Sequence, residues 1–123
     1  MGALNFTDDE LSCKCGCGQY ITDYVFLFNL QNVRDMYAKP MPLSSAFRCP
    51  EYNKKVSSTG LDGPHTIAAV DVIVHGHDAY RLLWLSMVVG FAGIGLNQKG
   101  KYSQRFIHLD NLNIETRPWV WTY

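Results

Sequence analysis

Ile67-Ala68-Ala69-Val70-Asp71-Val72-Ile73-Val74 carries one charge in a run that is otherwise apolar and largely β-branched. Before it lies a Gly- and Ser-rich stretch, Ser57 to Pro64, and after it the polar His75-Gly76-His77-Asp78. An apolar β-branched run between such boundaries predicts a buried strand over Ile67 to Val74. A carboxylate inside it is costly unless it is hydrogen-bonded, paired or bound to metal. Side chains alternate along a strand, so Ala69, Asp71 and Ile73 share a face, and the small Ala69 leaves room beside the carboxylate for an ion.

Working outward, Ala92 to Leu96 and Arg105 to Leu109 predict two further strands, joined as a hairpin by the polar segment Asn97 to Gln104. Phe106, His108 and Asp110 then share one face. Leu43 to Phe47 and Trp119 to Tyr123 read as short strands, and Met1 to Asp9 as a loose start. Phe26, Leu30, Val33 and Tyr37 form one helical stripe, capped by Thr22 and ended by Pro40 and Pro42. Pro50 suits the first turn of a short helix over Glu51 to Val56. Tyr80, Leu83, Trp84 and Met87 give a third helical stripe, with Asp78 as its cap and Gly90 as its stop. This order predicts an α+β fold, a small antiparallel sheet flanked by helices, with residues 1–123 as a single domain.

Hydrophobic residues make up 47% of the chain, enough for a core in 123 residues. Lys plus Arg and Asp plus Glu number 11 each, a zero net charge that argues against a nucleic-acid partner. The longest charge-free run, Leu82 to Gln98, has 17 residues and is interrupted by Gly90, Gly93 and Gly95. A membrane span needs roughly 20 apolar residues, so no insertion is expected. Met1 to Asp9 lacks the basic and apolar regions of a signal peptide, so synthesis in the cytoplasm is expected.

Two imidazoles and one carboxylate are a ligand set for a catalytic zinc that keeps a position open for water. His108 and Asp71 lie on strands and His65 in a turn, each in a context that can fix its side chain. Considered singly, His108 can be a satisfied core histidine and Asp71 an acid bonded to amides or a base. His75 shares the parity of Asp71 but lies four strand residues away, about 13 Å. It cannot share an ion with Asp71, and His75 and His77 read as a polar turn. Cys13, Cys15, Cys17 and Cys49 are the only cysteines. The C-x-C-x-C spacing departs from the usual zinc pattern of two to four intervening residues. These cysteines are open to three readings: half-buried thiols in a tight turn, a disulfide involving Cys49, or a structural zinc.

Five segments together resemble the zinc D-Ala-D-Ala carboxypeptidases and their endolysin peptidase relatives, nearest to the compact phage and prophage branch. They are Ser45-Ala46-Phe47-Arg48-Cys49-Pro50, Gly63-Pro64-His65-Thr66, Ala69-Val70-Asp71-Val72, Phe91-Ala92-Gly93-Ile94-Gly95 and Arg105-Phe106-Ile107-His108-Leu109-Asp110. The resemblance runs from about Phe6 to Tyr123, including the ending Arg117-Pro118-Trp119-Val120-Trp121. It implies a hedgehog/D-Ala-D-Ala peptidase-like fold and a zinc hydrolase, expected to be monomeric, that cuts stem or cross-bridge peptides of bacterial peptidoglycan. A chain without a signal peptide suits a phage lysin released at lysis. The resemblance implies His65, Asp71 and His108 as zinc ligands and Arg48 as the holder of a substrate carboxylate.

Two positions depart from the family pattern. Relatives place six residues between the first two ligands; here five separate His65 from Asp71. A residue lost from a regular strand turns a side chain to the other face, so the connection after His65 must readjust. Where many relatives carry an acid or a histidine just before the last ligand, this chain has Arg105 and Phe106. Asp110 is the remaining nearby acid, as a general base or as a partner that orients a ligand imidazole. The rival reading is an inactive peptidoglycan-binding or phage structural module of the same fold.

Overall fold

The computed structural model describes residues 5–123. The loose start expected over Met1 to Asp9 falls in part outside these residues. From Asn5 onward the chain is tied down: Phe6 is buried, and Thr7 and Glu10 exchange side-chain-to-backbone hydrogen bonds as a capping box.

Helix α1 spans Tyr24–Tyr37 and buries Phe26, Leu27, Leu30, Val33 and Tyr37, the expected stripe. Its cap is Asp23 rather than Thr22; the Asp23 carboxylate accepts from the Phe26 amide at 3.0 Å. Strand β1 (Leu43–Ser45) and helix α2 (Pro50–Val56, with Pro50 in its first turn) follow. A single 3₁₀ turn, Pro64–Thr66, leads to β2 (Ala69–Ile73). The strand is shorter than the apolar run because Ile67 lies in the turn and is exposed.

Helix α3 spans Gly76–Val89 and begins without a side-chain cap; Asp78 sits inside its first turn and pairs with Lys39 at 2.9 Å. Its inward stripe is Ala79, Leu82, Leu85 and Ser86. The expected stripe is turned outward: Tyr80, Trp84 and Met87 face solvent, and Leu83 is only partly buried. The helix is apolar on nearly every side, so periodicity fits two stripes. The neighbouring elements choose between them.

Strands β3 (Gly93–Asn97) and β4 (Phe106–Asp110) pair antiparallel as the expected hairpin. The five-stranded sheet has the order β1-β2-β4-β3-β5, with β5 at Trp119–Thr122. The expectation of a wholly antiparallel sheet fails at that edge, because β5 runs parallel to β3. The segment Asn111–Pro118 carries the chain back across the sheet end before β5 begins, so β5 enters in the direction of β3.

Register divides the sheet into two faces. Val70, Leu109 and Ile94 align in one row, and Val72, Ile107 and Leu96 in the next. These rows join Phe26, Leu30, Val33, Leu82 and Leu85 in one hydrophobic core. The opposite face carries the row Asp71, His108, Gly95, Trp121 and the row Ala69, Asp110, Gly93, Trp119. One face therefore drives folding by burial, and the other is free to hold polar groups.

Candidate metal centre

Three ligand-type side chains converge on the second face. His65 Nε2 lies 3.3 Å and His108 Nδ1 3.1 Å from Asp71 Oδ1. All three residues are buried. Asp71 and His108 are direct neighbours across β2 and β4. His65 arrives from the 3₁₀ turn, so strand parity does not govern it. That is how a connection one residue short still delivers the imidazole. The turn is held by Thr66, whose hydroxyl bonds Gly63, and by the Arg48 amide donating to the His65 carbonyl at 2.8 Å.

Each imidazole has a fixed outer partner. His65 Nδ1–H donates to the Ala46 carbonyl at 2.7 Å, which leaves Nε2 as the lone-pair nitrogen. His108 Nε2–H donates to Asp110 Oδ2 at 2.7 Å, which turns Nδ1 toward Asp71. Two lone-pair nitrogens thus face one carboxylate oxygen. Acceptors packed this closely repel unless a positive charge lies among them, either extra protons or a cation. Ligand atoms about 2.0–2.1 Å from a tetrahedral zinc lie about 3.3–3.4 Å from one another, close to the spacings here. The donor set and its geometry fit that ion.

In the metal-free chain a proton takes that place, so contacts to Asp71 become hydrogen bonds. Burial pushes the Asp71 carboxyl up, but the hydrogen bonds and charge of His108 and His65 outweigh it and hold Asp71 well below the ordinary carboxylate range. Burial likewise lowers His108, while Asp110 and Asp71 more than reverse that and raise it.

Asp110 has no accessible surface and lies behind His108, away from the cavity in front of the ligands. Arg117 clamps it with two hydrogen bonds, Nε to Oδ1 at 2.9 Å and Nη2 to Oδ2 at 2.8 Å. Despite its burial, Arg117 and His108 keep its carboxyl well below the usual range. A base for a water in the cavity must face the cavity, and Asp110 does not. Its position is that of a partner that fixes the tautomer and direction of a ligand imidazole.

Arg48 stands beside Asp71, with Nη2 3.9 Å from Oδ2. It donates from Nε to Ser45 Oγ at 3.1 Å and from Nη1 to Asn53 Oδ1 at 3.2 Å. A cavity of about 640 Å³ opens in front of His65, Asp71 and His108, with Arg48, Phe106, Trp121 and Tyr123 in its wall. His75 is elsewhere, stacked on the Tyr102 ring at 4.1 Å.

Four further residues shape the site: Arg117, Trp121, Gly93 and Gly95. Arg117 completes the His108–Asp110 chain, and its guanidinium lies over Trp121 at 4.8 Å. Trp121 packs against the His108 ring at 5.0 Å. Gly93 and Gly95 make room for both: a Cβ on Gly93 would sit 2.2 Å from Asp110 Oδ1, and one on Gly95 2.6 Å from Trp121 Nε1. The sequence carries two traces of them: Arg117 and Trp121 stand in the ending that resembles the family, and the glycine pair is a strand with two missing side chains on one face.

Two buried imidazoles and a carboxylate at the floor of an open cavity, each imidazole held by an outer hydrogen bond, are the donor set of the zinc metallopeptidase class of site. The family model described as Peptidase M15 matches residues 4–110, most of the chain, and the protein belongs to that family of zinc peptidases acting on peptidoglycan peptides. Arg117 and β5 lie beyond the matched segment. No curated protein and no solved structure matches the chain. No helix of the described residues is long and apolar enough to cross a membrane.

Proposed function

We propose that this protein is a zinc-dependent peptidase of bacterial cell walls, a carboxypeptidase or endopeptidase on D-Ala-containing stem or cross-bridge peptides. The observation that carries this reading is the convergence of two lone-pair imidazole nitrogens on the Asp71 carboxylate at the cavity floor. His65, Asp71 and His108 would hold the ion. Zinc in such a site supplies Lewis-acid polarisation of a carbonyl and a water acidified toward neutral pH.

The remaining chemistry is the chain's own. Arg48, held by Ser45 and Asn53, presents its guanidinium to the cavity beside Asp71, where a fork can take a peptide carboxylate in two places. Asp110 orients His108, and Arg117 keeps Asp110 ionised. Phe106, Trp121 and Tyr123 form an aromatic wall that shields the reacting bond from bulk water. The resemblance to compact phage enzymes supports a lysin role.

One observation favours a second reading. Among the described residues, no carboxylate or imidazole besides the three ligands lines the cavity, so no side chain there is suited to take a proton from water. A catalytically silent peptidoglycan-binding or phage structural module of the same fold would need none. Peptide release from purified cell walls by the zinc-loaded protein separates the two. The enzyme liberates new amino termini or free D-alanine, and His108→Ala loses both this zinc and the activity. Zinc-loaded, folded protein that binds walls and releases nothing establishes the second reading.

A further inference from the structure

Outside the cavity lining, the four cysteines meet. Cys13 Sγ lies 3.4 Å from Cys15 Sγ, Cys15 Sγ lies 3.6 Å from Cys49 Sγ, and the sulfurs of Cys13, Cys15, Cys17 and Cys49 all fall within 4.8 Å of one another. All four are free thiols; Cys13 and Cys49 are buried, Cys15 and Cys17 exposed. We infer that these four sulfurs form a second metal site, a tetrathiolate centre for a soft divalent cation, zinc foremost.

The geometry fits that ion. Four thiolates about 2.3 Å from a tetrahedral zinc lie about 3.8 Å apart, near the observed spacings. The unusual C-x-C-x-C spacing works because the backbone folds as a knuckle. Cys13 donates its amide to Gln19 at 2.8 Å, Gly16 donates to the Cys13 carbonyl at 3.3 Å, and Ser12 pairs with Tyr20 as an antiparallel bridge. Gly16 and Gly18 take φ of 85° and 84°, the left-handed turns that bring alternate cysteines to one side. The Cys49 amide donates to Cys13 Sγ at 3.3 Å, a bond that favours the thiolate. Burial of small apolar thiols explains two of the sulfurs. It does not explain why two exposed ones turn toward them.

The site has a structural task. It is closed, with four protein ligands and no position left for water, the pattern of a structural rather than a catalytic zinc. It ties the N-terminal knuckle to Cys49, the residue after Arg48, and the Lys14 amine reaches the Ser44 carbonyl in the same junction. The metal therefore anchors the loop that carries Arg48 into the cavity wall.

The test uses the full chain prepared under reducing conditions with zinc supplied. Elemental analysis of wild type is expected to give about two zinc ions per chain. His65→Ala/His108→Ala should retain one, and Cys15→Ser/Cys17→Ser, chosen because both side chains are exposed, should lose the other. Cobalt-substituted wild type reads the site without any substitution: thiolate-to-cobalt charge-transfer absorption is expected, and it persists in the histidine variant. The inference is overturned if cobalt-loaded wild type lacks that absorption, or if the zinc-supplied protein carries disulfides among these cysteines. One zinc per wild-type chain, untouched by the histidine changes and lost with the cysteines, supports this site and removes the peptidase metal instead.

Discussion

At the residue scale, the Arg117–Asp110–His108 chain is the feature with the largest measurable consequences. Arg117→Ala leaves a carboxylate with no accessible surface without its cation, and loss of one partner of a buried pair costs about 3–5 kcal/mol; urea unfolding of the metal-free protein measures it. Asp110→Asn keeps all three ligands but alters the partner of His108, so zinc affinity should fall about 10–100-fold in a chelator competition. The pH dependence has a definite sign. The Asp110 carboxyl is lower in the folded chain than its unfolded value of about 3.9. As pH falls below about 5, the unfolded chain takes up that proton first, so the stability the group contributes above this range declines. Acid unfolding of metal-free Asp110→Asn should lose part of this slope; Asp71, lowered for the same kind of reason, supplies another part.

At the element scale, β3 and α3 show how far pattern carries. On β3, Gly93 and Gly95 are positions where any side chain would strike the site. Gly95→Ala should push Trp121 and the β5 edge away from His108, costing about 1–3 kcal/mol as overpacking does and changing tryptophan fluorescence. On α3, the buried stripe predicts that Leu82→Ala costs about 2–5 kcal/mol. Trp84→Ala on the outward stripe should stay within about 0.5 kcal/mol. Equal costs at the two positions in thermal or urea unfolding would contradict the orientation of this helix. The apolar period marks the helix and its limits to within a residue or two. The period does not select the buried stripe, because leucine, tryptophan, methionine and tyrosine ring the helix and no local rule ranks one apolar side above another.

At the scale of the whole molecule, the sheet separates two tasks. One face joins α1 and α3 in a hydrophobic core, and the other gathers the polar ligands, the aromatic wall and Arg48. The candidate ligands are set at different depths of the architecture. Asp71 and His108 sit on adjacent central strands and are as rigid as the sheet, whereas His65 depends on a turn tied to Ala46 and Arg48. A change that loosens that junction should therefore reduce metal affinity through His65 while leaving the core intact. Ala46 contributes only its carbonyl, so the effect is expected from backbone disturbance nearby, such as removal of Pro64, and would appear as weaker zinc binding with little change in the urea midpoint of the metal-free protein.

The strands over Asp71 and His108, the alternating faces of each, the α1 stripe, the β3–β4 hairpin and the residues able to bind metal are legible in the sequence alone. These follow from alternation, helical period and side-chain chemistry, all properties of near neighbours along the chain. The pairing that sets Asp71 beside His108, the parallel entry of β5, the stripe that α3 buries, the approach of His65 from a 3₁₀ turn, the pairing of Arg117 with Asp110 and the meeting of Cys49 with the N-terminal cysteines emerge in the folded chain. Each of these depends on where distant segments come to rest, and that is set by burying the apolar surface of the whole chain at once rather than by any local spacing.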